Sequence, residues 1–355
     1  MSYILAINPG STSTKISIFE GKKEIFTKTL RHSSEELAPY PNVIDQYQFR
    51  KDTIAAALKE NNIDANDIAA VVGRGGLLRP IASGVYEVNE NMIADLSSAK
   101  YGEHASNLGG IIANAMAKEI PGCRAFIADP VVVDELCEVA RISGHPKFPR
   151  KSIFHALNQK AIAKQYAAEV GKKYSDLNLI VAHMGGGTSI GAHKKGQIVD
   201  VNDALNGDGP FSPERSGSLT ALDVVKACFS GEYTFDEMKK LINGKGGLMA
   251  HLGTNSFYEV EQNMAKGDAK SILITDAFLF QVAKSIGAEA AALSGEVDAI
   301  LLTGGVAYGK EMMAQLADMV KFIAPVKVYP GEDEMGALAG NGLAVLEGTE
   351  EVKVY

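Results

Sequence analysis

Asn8-Pro9-Gly10-Ser11-Thr12-Ser13-Thr14-Lys15 separates two short apolar runs, Tyr3 to Ile7 before it and Lys15 to Phe19 after it. Such runs, bounded by Gly, Pro, Asn and Ser, read as strands, so the segment is the tip of a hairpin. The same design returns half a chain later. Leu179 to Ala182 leads into His183-Met184-Gly185-Gly186-Gly187-Thr188-Ser189, then Ile190 to Ala192 and a turn at Lys194-Lys195-Gly196. With Asn8 laid on His183, the two copies predict a duplicated architecture with one hairpin per half.

Between these landmarks, helical spacing covers Phe49 to Asn61, Glu103 to Lys118, Asn158 to Tyr174 and Leu219 to Cys228. It resumes over Ser271 to Leu293, Lys310 to Phe322 and Met335 to Leu346. Short apolar runs intervene at residues 69–72, 125–128, 299–302 and 326–329. Strands alternating with helices predict an α/β protein. At 355 residues the chain exceeds what one core usually serves. The clearest linker is Gly144-His145-Pro146-Lys147-Phe148-Pro149-Arg150, which sets the expected domain boundary near 152/153.

An apolar fraction of 46% with 22% charged residues is ordinary for a globular chain. A net charge of -8 without a basic stretch argues against a nucleic-acid partner and for small-molecule ligands. The first residues lack the basic start and apolar stretch of a secretory signal, and no run approaches the roughly 18 apolar residues of a membrane span. The expectation is a cytoplasmic protein with no membrane partner. Cys123, Cys137 and Cys228 have neither disulfide-framework nor zinc-type spacing and are expected to be structural.

Ligands of α/β folds gather at the carboxyl ends of strands, where these polar tips lie. Gly10 to Lys15 offers closely spaced backbone N–H groups, hydroxyls and a cation, a set that suits a polyphosphate better than a plain solvent-facing turn. Gly304-Gly305-Val306-Ala307-Tyr308-Gly309-Lys310-Glu311 nearly spells a P-loop, but Glu311 stands where the metal-binding hydroxyl is needed. It reads instead as a glycine turn where backbone meets a flat ligand such as adenosine. No G-x-G-x-x-G follows a strand, which leaves a dinucleotide-dependent oxidoreductase without support.

Taken in order, NPGSTSTK, GRGGLLRP, ADPVVVDE, HMGGGTSIG, PERSGSL, LTGGVAYG and PGEDEMGALA resemble the acetate and butyrate kinase family from the first strand nearly to the last helix. The short length and the variants VVGRGGLLRPI and YGEHASNLG resemble its butyrate and branched-chain members. The resemblance implies a duplicated actin-like ATPase (ribonuclease H-like) fold, two domains around a nucleotide cleft, ATP/ADP and Mg²⁺ as cofactors, and a homo-oligomer. It places residues 1–152 with about 335–355 in the first domain, closed by the returning C-terminal helix, and 153–334 in the second. Asn8, Ser11, Ser13 and Lys15 match the first phosphate loop, and His183 with Gly185, Gly186 and Gly187 the second. Arg74 and Arg215 match the two essential arginines. His104 and His183 match histidines that bind the transferring phosphoryl group. Asp129 and Glu334, with Asn8 beside them and Glu332 in reserve, match the metal side; Gly304 and Gly305 match the adenosine side.

Phosphoryl transfer spreads negative charge over equatorial oxygens, so catalysis rests on positioning and on cations aimed at that charge. A carboxylate acceptor, with a pKa of about 4, is already ionised at neutral pH and needs no general base. Asp129 is therefore assigned to Mg²⁺. The glycines Gly75 and Gly76 after Arg74 are expected to leave room for a longer acyl tail. The expected reaction is ATP plus butyrate giving butyryl phosphate and ADP, reversibly and in line, with domain closure excluding water. The alternatives are an acetate or propionate kinase, a hydroxyl kinase with Asp129 as base, and an ATPase scaffold of the actin or heat-shock type.

Overall fold

The computed structural model describes residues 2–355. In chain order its strands are β1 (Tyr3–Pro9), β2 (Ser13–Glu20), β3 (Lys23–Arg31), β4 (Ile68–Arg74), β5 (Val85–Glu87) and β6 (Arg124–Ala128). They continue as β7 (Asn178–Met184), β8 (Thr188–Lys194), β9 (Gln197–Val201), β10 (Ala299–Gly304), β11 (Val326–Pro330) and β12 (Val352–Lys353). Two sheets result, ordered β12-β5-β6-β4-β1-β2-β3 and β11-β10-β7-β8-β9.

The duplication is visible in the pairing. β1, β2 and β3 form an antiparallel meander, and β4 and β6 extend it from β1 in parallel. β7, β8 and β9 form the same meander, extended by β10 and β11 in parallel. Apolar runs explain the central positions: Ile4, Leu5, Ala6 and Ile7 of β1, and Leu179 to Ala182 of β7, are buried on both faces.

The chain divides into two compact units, one running up to Val133 and resuming at Asp333–Tyr355, the other Asp134–Glu332. The first division falls earlier than the 152/153 boundary drawn from the linker. The reason is local bonding. Cys137 N–H donates to Val199 O, and Arg150 donates to Val201 O and pairs with Asp200 at 2.7 Å, all within the second unit. In the first unit the helix Glu334–Leu346 lies against β1 and β4, where any side chain at Gly342 would meet Val72 and Ile4.

The helix Ala269–Ala292 is long and apolar enough by composition to cross a membrane, contrary to the expectation that no run approaches that length. Its apolar character has a core role, since Phe278, Leu279, Val282 and Ile286 are fully buried in the second unit. Of the cysteines expected to be structural, Cys137 and Cys228 are exposed.

Glu289 on that helix is buried, and its Oε2 has no hydrogen-bond partner. Burial first, and the neighbouring Asp200 charge second, push its pKa from 4.5 up to about 8, with Arg150 opposing. Between those values the folded protein retains a proton that the unfolded chain has lost, so this group's contribution to stability falls as pH rises through that window. Glu289→Gln should therefore gain stability over the parent progressively between pH 5 and pH 8, to be read from melting temperatures at both ends.

Candidate active site

Parallel pairing sets Ile7 beside Gly73 and Gly73 beside Ile127, so β1, β4 and β6 end level. Asn8 on β1, Arg74 on β4 and Asp129 just past β6 thereby stand at the same end of neighbouring strands, spaced about 5 Å per strand. Arg74 Nη1 lies 2.9 Å from Glu334 Oε1 and 3.2 Å from its Oε2, and 3.4 Å from Asn8 Oδ1. Asn8 Nδ2 also donates to Glu334 Oε2, closing a three-residue cluster. Asp129 adopts φ +37°, an uncommon backbone for a residue with a side chain, and its Oδ1 accepts the Gly84 N–H at 2.7 Å.

Alternation along β2 explains the first tip. Asn8 pairs with Lys15, so Lys15 and Ser13 share the face of Asn8, while Thr14 points to the opposite, buried side. There Thr14 Oγ1 meets His32 Nε2 at 3.0 Å and the Arg50 guanidinium at 3.1 Å. Ser11 is exposed at the turn itself.

His104 stands in the loop before the helix Asn107–Ala117, not on the helical stretch expected from residue 103. Its Nδ1 accepts the Ser106 N–H at 3.1 Å, which leaves Nε2 as the protonated, donating nitrogen of the neutral ring. Loss of surrounding water first, and the Arg74 charge second, hold its pKa below the ordinary histidine range.

The room expected at Gly75 and Gly76 is already filled. A Cβ on Gly75 would lie 2.5 Å from Pro130 Cβ, and one on Gly76 2.5 Å from Asn107 Cα. These glycines serve close packing, as do Gly73 and Gly109, whose backbones touch. Asn107 completes the arrangement by accepting the Leu77 N–H and donating to Gly102 O.

In the second unit, His183 lies fully buried one residue before the end of β7, with Nδ1 2.7 Å from Asn158 Oδ1. An amide oxygen only accepts, so Nδ1 carries the proton, and the buried Nε2 is left without a hydrogen-bond partner among the described residues. Glu332 Oε1 lies 3.1 Å from Nε2, though without the direction of a hydrogen bond. The three acids of Glu332-Asp333-Glu334 thus have separate work. Glu332 faces His183, Asp333 caps the following helix by accepting Gly336 N–H, and Glu334 joins Asn8 and Arg74. Glu332, the reserve on the metal side, therefore lies beside His183 in the second unit.

Gly185 N–H donates to Gly187 O across the second tip, and Gly186 O accepts Ser212 Oγ. Gly187 has no room for a side chain because the Arg215 guanidinium occupies that space; Arg215 Nη1 donates to Ala204 O at 2.6 Å. Burial lowers the Arg215 pKa, with Glu214 and Asp203 opposing. At the third turn, Gly304 has φ +94° and bridges Gly331, with β7 backbone at Met184 where a Cβ would sit; Gly305 is open.

Sequence reasoning missed the polar stripe behind this tip. On the helix Ala156–Glu169 and its preceding residue, His155, Asn158 and Gln159 share one face at i, i+3, i+4 spacing, a signal present in the sequence. The His155 ring stacks on His183 at 3.8 Å and 10°. Ser189 Oγ accepts from Gln159 and reaches His155 Nδ1 at 2.8 Å. Gln159 Oε1 takes His193 Nε2–H at 3.0 Å, and Tyr174 O–H donates to His193 Nδ1 at 2.7 Å. Burial, then the charge of Lys160, holds the His193 pKa well below the usual value, so this ring is neutral. Lys160, 1% exposed, pairs with Glu135 at 2.7 Å. Arg50 in the first unit was missed as well.

The Acetokinase family model matches residues 147–326. Butyrate kinase 1 of Clostridium acetobutylicum is 59% identical over 355 residues, spanning all of both chains. This chain belongs to the acetokinase family. A probable butyrate kinase of Clostridium botulinum (strain Eklund 17B / Type B) is 55% identical over 356 residues, again spanning both chains. The acetokinase fold is shared with the crystal structure of Porphyromonas gingivalis acetate kinase at TM-score 0.81 and 20% identity, covering 98% of this chain and 100% of that one. A propionate kinase from Francisella tularensis superposes at TM-score 0.73 and 19% identity, covering 96% and 99%.

Removing the acceptor that orients His183 tests the stripe. Asn158→Ala leaves a buried N–H unsatisfied and should cost about 1–3 kcal/mol of stability, measured by denaturant titration, together with lower turnover in the folded enzyme.

Proposed function

We propose that this acetokinase-family protein is a carboxylate kinase that transfers the γ-phosphoryl group of ATP to butyrate, forming butyryl phosphate and ADP reversibly and in line. The observation that carries the reading is the 59% identity, across the whole of both chains, to a protein named butyrate kinase. In the first unit, Asn8, Ser11, Ser13 and Lys15 bind phosphate oxygens, and Arg74 orients the acceptor carboxylate. Guanidinium suits that task because its fork matches a carboxylate and offsets the repulsion between two anions. His104 donates from Nε2 to the transferring group.

In the second unit, Arg215 and the N–H groups of Gly186 and Gly187 are donors suited to negative charge on phosphate oxygens, while Gly185 N–H is kept by Gly187 O. His183, held through Nδ1 by Asn158, joins them. Gly304 and Gly305 receive the adenosine. The ionised acceptor needs no base, and Asp129 Oδ1, already engaged by Gly84 N–H, is poorly placed to collect a proton.

Among the described residues no three His, Cys, Asp or Glu side chains gather into a metal cage. That suits Mg²⁺, which keeps water and phosphate oxygens and takes only one or two protein carboxylates. Asp129 and Glu334, with Asn8, would hold it, and when bound it would neutralise phosphate charge.

Incubating the enzyme with Mg-ATP, hydroxylamine and acetate, propionate, butyrate, isobutyrate or glycerol should give acyl hydroxamate peaking at four carbons. ATP consumption without hydroxamate from any acid would refute the reading. Arg215→Ala should lower turnover about 10²- to 10³-fold with little change in KM for butyrate, and near-normal turnover would remove Arg215 from its role.

A further inference from the structure

Arg50, on the helix Tyr47–Glu60, is fully buried. Its Nη1 donates to Gly10 O at 2.7 Å, Ser13 O at 2.9 Å and Thr14 Oγ1 at 3.1 Å. Nη2 donates to Ser11 O at 2.9 Å and Gln46 Oε1 at 2.8 Å, and Nε to Gln46 Oε1 at 3.1 Å. Every acceptor is neutral, and among the described residues no carboxylate pairs with it. Burial pushes its pKa down to about 10, so it remains a cation at neutral pH.

A buried cation without a counter-ion is costly, and folded chains generally provide an acid opposite it. Lys160 shows that remedy in this same chain, with Glu135 at 2.7 Å. Arg50 instead spends its donors on the carbonyls of the first tip. In a trans peptide the C=O and the next N–H point in opposite directions. Binding Gly10 O and Ser11 O from inside therefore turns the Ser11 and Thr12 N–H groups outward. Neither N–H finds an acceptor among the described residues. Two adjacent outward amides over a buried positive charge make an anion-binding concavity whose missing counter-charge is the ligand.

We propose that Arg50 is the positioning residue of the phosphate-binding turn: from beneath, it holds the Ser11 and Thr12 N–H groups toward phosphate oxygens and supplies charge without touching them. This rests on the assignment of the Asn8–Lys15 tip to a polyphosphate. Affinity for phosphate groups, but not for adenosine, then depends on a side chain outside the ligand's reach.

The test compares ADP, tripolyphosphate and adenosine binding by calorimetry, and KM for ATP and butyrate, in the parent and in Arg50→Lys and Gln46→Met. Arg50→Lys keeps the charge but loses the fork. It should weaken ADP and tripolyphosphate about tenfold and raise KM for ATP alike, leaving adenosine affinity and KM for butyrate within twofold. Gln46→Met, which frees the guanidinium from its anchor, should shift the same ligands in the same direction by a smaller factor, and it decides the matter if Arg50→Lys does not fold. Unchanged ADP affinity in a folded Arg50→Lys protein, or equal weakening of adenosine and ADP, overturns the proposal. The binding arm is independent of the acceptor: a parent enzyme that makes no acyl hydroxamate yet shows this phosphate-selective loss defeats the butyrate reading and sustains the role of Arg50.

Discussion

The level ending of β1, β4 and β6 is the constraint on which the first unit depends. Parallel hydrogen bonding places Asn8, Arg74 and Asp129 in a row, and the backbone contact between Gly73 and Gly109 draws the helix Asn107–Ala117 against that row. Protein interiors are close-packed, so a single added Cβ at Gly73, Gly76 or Gly109 would displace backbone, not a flexible side chain. Asn107 then ties the loops at Leu77 and Gly102, and His104 is carried on the segment just before it. The returning helix Glu334–Leu346 begins with the acid that reaches Arg74 and Asn8.

Cations in this protein are held in two different ways. Lys160 is neutralised internally by Glu135 and is a structural pair. Arg50 and Arg215 are held by carbonyl oxygens, Gly10, Ser11 and Ser13 for one and Ala204 for the other. Neutral acceptors satisfy the N–H groups without cancelling the charge, although Glu214 and Asp203 act on that of Arg215. Histidines are handled with similar economy: one ring nitrogen is committed to a fixed partner, Ser106 N–H for His104 and Asn158 Oδ1 for His183, while the second nitrogen of His183 lies beside Glu332.

Much of this was legible before the structure. The two hairpins, the α/β alternation and most helix positions follow from apolar periodicity and from glycine-rich interruptions, which are local properties of the chain. The tips were also legible as polar, small-residue turns at strand ends. Three readings failed for non-local reasons. The Pro-rich stretch 144–150 looked like a linker, yet Arg150 is bound into the second unit through Val201 and Asp200. Gly75 and Gly76 looked like open space, and Pro130 and Asn107 fill it. His104 looked helical and lies in a loop.

By itself the sequence determined the duplicated fold, the family and the residue types at the strand ends, because hydrophobic period and turn chemistry act over a few residues. Only the tertiary structure separated the three consecutive acids at 332–334, since neighbouring residues leave a strand or helix end in different directions and meet partners from distant segments. It alone revealed Arg50 beneath the first tip and His155 stacked on His183. Both depend on burial and on contacts tens of residues apart, which no local pattern encodes.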